Sequence, residues 1–97
     1  MKLAPLSEAV GMVVTGLELG SLTDAEAEQL NEAWAEHSLL VFRDQELDED
    51  GHVRLAEQLG EIDVNRFFAS VDGYDVIADV RKEPTDELNI GGGWHTD

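Results

Sequence analysis

The residues with the clearest chemical potential stand at 91–97, Gly91-Gly92-Gly93-Trp94-His95-Thr96-Asp97. In an extended segment successive side chains alternate between faces, so a strand over Trp94 to Asp97 points His95 and Asp97 one way and Thr96 the other. An imidazole and a carboxylate on one face suit a metal held by two histidines and one carboxylate. Non-heme Fe(II) oxygenases use that arrangement, which leaves coordination positions open. His95 and Asp97 are therefore the candidate metal ligands, and no second histidine follows them in the sequence. The bare His-x-Asp pattern is weak evidence, since a chain of this composition shows it by chance roughly one time in three.

Composition limits the partners. Ninety-seven residues make one domain at most, with a modest core. With 22 acidic and 6 basic residues the formal charge is −16, which repels nucleic acid and anionic membrane surfaces. There is no cysteine, so disulfides, thiolate zinc sites, iron–sulfur clusters and a thiol nucleophile are excluded. The longest run of large apolar residues, Leu39 to Phe42, is far short of the roughly 20 needed to span a bilayer. Met1-Lys2-Leu3-Ala4-Pro5 opens no signal-peptide apolar region, so a soluble, cytoplasmic chain is expected.

The elements that must position the motif follow from periodicity and caps. Residues 9–20 read as a short strand, a turn at Gly16 and a lead into a helix. Thr23 followed by Glu26 forms a capping box, and the helix it starts runs from about Asp24 to His37. Ala27, Leu30, Ala33 and Trp34 make its buried stripe, with Glu28, Glu32 and Glu36 facing water. Leu39-Leu40-Val41-Phe42 reads as a strand covered on both faces, and an ion pair between Arg43 and Asp44 is expected to anchor its end. Asp48 caps a second helix with Val53, Leu55, Ala56 and Leu59 on its buried side, Gly51 weakening its first turn and a left-handed Gly60 ending it. Periodicity then vanishes from Glu61 to Tyr74, a strand is expected over Asp75 to Val80, and Arg81 to Gly93 reads as a polar loop. Trp94 is expected to pack and fix the strand that carries His95. His37, at a helix C-terminus, and His52, in a first turn, have ordinary roles there.

Several of these runs together resemble one family. Gly16-Leu17-Glu18-Leu19, the helix after Leu22-Thr23, His37 with Leu39-Leu40-Val41-Phe42-Arg43-Asp44-Gln45, Leu55-Ala56-Glu57-Gln58-Leu59-Gly60-Glu61 and Trp94-His95-Thr96-Asp97 occur here in order. They are similar to the N-terminal part of the taurine and dichlorophenoxyacetate dioxygenases (TauD/TfdA family), and nearly every residue from 9 to 97 falls inside the resemblance. It implies an α+β chain forming the N-terminal portion of a jelly-roll (double-stranded β-helix) dioxygenase domain over 1–97. The four strands expected here are too few to close that barrel, so the chain is expected to be a catalytically incomplete fragment.

The resemblance also implies the chemistry. His95 and Asp97 match the first two iron ligands, whereas the third ligand and the arginine that holds 2-oxoglutarate have no counterpart in this sequence. The expected cofactor is Fe(II), with 2-oxoglutarate and O2 as cosubstrates. The expected reaction hydroxylates a small organic acid or related metabolite and releases succinate and CO2. In taurine-cleaving relatives a histidine and a tyrosine after the second helix line the substrate pocket. Counted from Gly60-Glu61, those places fall on Asn65 and Phe68, which are the expected substrate-binding positions. Neither side chain is retained, and the glycine run before Trp94 lacks the asparagine a taurine enzyme carries there, so another small acid, amine or carboxylate replaces a sulfonate. A homo-oligomer is compatible with this reading. Two readings compete with it: a non-catalytic acidic interaction module derived from the same fold, and a divalent-metal hydrolase using His95, Asp97 and nearby carboxylates.

Overall fold

In the computed structural model, which describes residues 1–63, 69–87 and 92–95, the chain divides into two units, Met1–Ile62 and Asp63–Asp97. The architecture is mixed α and β, with two helices and two small sheets, and no barrel closes among the described residues. No helix there is long and apolar enough to cross a membrane.

The first unit opens with β1 (Lys2–Pro5) antiparallel to β2 (Met12–Thr15). A single 3₁₀ turn (Leu19–Ser21) and α1 (Asp24–His37) then carry the chain to β3 (Leu40–Phe42), which lies parallel to β2. The sheet order is β1-β2-β3, and α2 (Glu49–Leu59) completes the unit. Register places Leu3, Val14 and Phe42 side by side, and the two-residue period adds Met12 and Leu40 to their face. The core forms on this face: Val14, Leu17 and Leu30 are buried, and Leu19, Leu22, Leu40, Phe42 and Leu59 pack round them half-buried.

Thr23 starts α1 as the sequence predicts. Its Oγ1 accepts from the Glu26 N–H at 3.1 Å, and the Glu26 carboxylate accepts from the Thr23 N–H at 3.0 Å. Ala27, Leu30 and Ala33 are buried, but Trp34 is 46% exposed. Its indole Nε1–H donates to the Ser38 carbonyl at 3.2 Å, holding the ring over the helix end, where it borders an open apolar cleft with Leu39 and Phe42. β3 is also less covered than its apolar run implies: Leu40, Val41 and Phe42 are all half-buried. Val41 and its register partner Val13 lie on the face opposite the core. Core-facing Leu40 and Phe42 and outward-facing Val41 are thus covered to the same degree.

The expected Arg43–Asp44 ion pair does not form. Asp44 takes a left-handed φ of 56°, and the next side chain anchors the strand end instead. Gln45 Oε1 accepts from the Leu19 N–H at 2.9 Å while its Nε2 donates to the Leu17 carbonyl at 3.1 Å. One half-buried amide thus satisfies a donor and an acceptor on the turn that leads into α1. A second amide pair ties the helices: Asn31 Nδ2 donates to the Gln58 carbonyl and Gln58 Nε2 to the Leu22 carbonyl.

In α2 the Asp48 carboxylate accepts from the Gly51 N–H at 2.7 Å. Gly51 is the buried residue of this helix, while Val53, Leu55, Ala56 and Leu59 are half-buried. A methyl group on Gly51 would stand 2.9 Å from Asp48 Oδ1 and 3.2 Å from Leu47 Cδ1, so the glycine makes room for its own cap. Gly60 is not left-handed; its φ of 163° and ψ of −167° are extended backbone that any residue adopts.

The second unit holds β4 (Ser70–Val71) antiparallel to β5 (Tyr74–Ala78), with a register shift between Ser70 and Val71. Their loop is Asp72-Gly73, and Gly73 has φ 81°. β4 lies in the stretch read as aperiodic, where Asp-Gly before an apolar run is a hairpin signal.

Three stability predictions follow from these caps and clamps. The backbone N–H of Thr23, and then its hydroxyl, hold the Glu26 carboxyl below its ordinary pKa. A lowered folded-state pKa contributes stability that is present above the unfolded value and lost as pH falls through the folded one. Thr23→Ala should cost about 1 kcal/mol in urea denaturation and move the Glu26 titration, followed by NMR, upward. Gly51→Ala alone should change stability by less than about 0.5 kcal/mol, because a helix-propensity gain of about 1 kcal/mol offsets the displaced cap. In an Asp48→Ala background the same change should stabilise by nearly that full amount, so additivity would refute the steric account. Gln45→Leu should cost about 2 kcal/mol by leaving a backbone donor and acceptor unpaired, and Gln45→Glu, which keeps the acceptor, should cost less.

Candidate metal centre

The second unit carries the His-x-Asp stretch. Of its candidate residues His95 is described, whereas Asp97, Asn65 and Phe68 lie outside the described residues. The expected strand is not seen in the described part: Trp94 and His95 are irregular and exposed, and Trp94 is fully solvent-exposed at 107%. Trp94 therefore does not pack as predicted. The alternation that would aim His95 and Asp97 at one point belongs to an extended, paired segment, and neither Trp94 nor His95 belongs to one of the described strands.

His95 nevertheless has a defined local geometry. Its Nδ1 lies 2.7 Å from the Gly93 carbonyl oxygen. A carbonyl can only accept, so Nδ1 carries the proton and the neutral ring has its lone pair on Nε2. Metal-binding histidines commonly donate their second ring N–H to a backbone carbonyl, which fixes the tautomer and raises the basicity of the ligating nitrogen. Among the described residues nothing lies within 4 Å of where a Cβ on Gly93 would sit.

The other histidines take structural positions in the first unit. His37 closes α1, with Nε2 3.8 Å from the Glu36 carboxylate, and His52 is exposed in the first turn of α2. Glu18, Asp44 and Glu46 line an acidic cleft of about 490 Å³ beside the Gln45 clamp. Ser21 donates to Glu18 Oε2 there at 3.3 Å. Among the described residues no three His, Asp or Glu side chains come close enough together to hold a metal ion. Sequence reasoning missed Gln45, Asn31 and Gln58 as positioning residues; the available signal was a polar amide directly after an apolar strand or on the half-buried flank of a helix.

Comparison with known proteins agrees with the order of motifs. The family model described as "Taurine catabolism dioxygenase TauD, TfdA family" matches residues 2–97. The (S)-phenoxypropionate/alpha-ketoglutarate-dioxygenase of Sphingobium herbicidovorans is 35% identical over 98 residues, which cover 98% of this chain and 34% of that protein. The protein of the same name from Delftia acidovorans is 32% identical over 78 residues, covering 80% of this chain and 25% of its own length. The chain thus spans about a third of the length of the first relative and matches a quarter of the second. With a family match from Lys2 to Asp97 that includes the His95-Thr96-Asp97 stretch, the chain belongs to the TauD/TfdA family of dioxygenases.

Proposed function

We propose that this chain supplies the N-terminal part of an Fe(II)- and 2-oxoglutarate-dependent dioxygenase with a jelly-roll barrel, in which His95 and Asp97 are two of the iron ligands. The observation that carries the reading is the family match, which runs through the only His-x-Asp of the sequence. The names of both relatives support 2-oxoglutarate as cosubstrate and a small carboxylic acid as substrate.

The donor chemistry of His95 fits a divalent metal. Its Nδ1 proton is held on the Gly93 carbonyl, so the nitrogen that would ligate is Nε2. Acid weakens such a site because a proton and the metal compete for that lone pair. Asp97 would supply the carboxylate, whose charge partly neutralises a dication and which needs no deprotonation at neutral pH. When bound, Fe(II) with 2-oxoglutarate and O2 supplies the oxidising power to hydroxylate a C–H bond, with succinate and CO2 as products. Asn65 and Phe68 are proposed to contact substrate. They lack the histidine and tyrosine of the taurine-cleaving relatives, which speaks against a sulfonate.

The test measures succinate formed from 2-oxoglutarate by the protein in the form its gene encodes in full. Fe(II) is supplied, with a panel of small carboxylic acids led by (S)-phenoxypropionate. Fe(II)-dependent succinate is expected, and His95→Ala and Asp97→Ala should each lower it by more than the 10- to 100-fold typical of removing an outer-shell partner. Undiminished succinate from His95→Ala would show that the ligand assignment is wrong. Absence of both Fe(II) binding and succinate in the unaltered protein would sink the enzymatic reading.

A further inference from the structure

We draw no further inference here: the strongest candidate, the open apolar cleft of about 220 Å³ between α1, α2 and β3 lined by Leu30, Trp34, Leu39, Leu40, Phe42 and Leu59, is an unpartnered apolar face, and nothing in the structure shows what covers it.

Discussion

Leu30, 2% exposed, meets Val14 and Leu17 where α1 lies across the β2–β3 pair, and the arrangement of the first unit depends on that contact. Val14 is held in place on both sides, by Leu3 of β1 and Phe42 of β3. Parallel pairing of β2 and β3 requires the intervening chain to cross over, and here α1 makes the crossing. That helix must bury its one apolar stripe on the sheet. Among the described residues the buried apolar set is Val14, Leu17, Ala27, Leu30 and Ala33, so truncating Leu30 to alanine, at about 2–5 kcal/mol, removes a large share of what a small core supplies. The amide clamps of Gln45, Asn31 and Gln58 matter because this cluster is small: each satisfies backbone groups that a thin core cannot keep wholly dry or wholly wet.

Charge is the second constraint. No polar or charged residue is buried among the described residues, so the acidic excess stays in water or at helix starts. Asp24, Glu26, Glu49 and Asp50 sit in the first turns of α1 and α2, where the peptide dipoles favour carboxylates. Glu28, Glu32 and Glu36 line the exposed side of α1. A net charge of −16 also opposes the approach of anions such as 2-oxoglutarate or an organic acid. Physiological salt screens that field within about 8 Å.

The two kinds of support for His95 differ in reach. The Gly93 carbonyl acts across two residues, 2.7 Å from His95 Nδ1. The alternation that would bring His95 and Asp97 to one face belongs to a strand, and Trp94 and His95 lie in none of the described strands. A strand acquires its geometry from the strand it pairs with, and α1, α2 and their caps need no such neighbour. Trp94, with its ring wholly in water, follows from the same fact.

The sequence by itself determined what is settled within a few residues: α1 from Asp24 to His37 with its capping box, the Asp48 cap of α2, the turn at Gly16 and, of the loop expected after Val80, the described residues 81–87. It also carried the family, because ordered motifs survive without knowledge of contacts. Tertiary structure decided the rest. β1 was not legible because Lys2-Leu3-Ala4-Pro5 has no strand pattern and exists through its pairing with β2. The parallel partnership of β2 and β3, the exposure of Trp34 and the burial of Gly51 likewise depend on residues far away in sequence. Gln45 shows the reason most directly: its amide reaches Leu17 and Leu19 across 28 and 26 positions, and no local period or cap can encode a bond whose partner the fold has yet to bring within hydrogen-bonding distance.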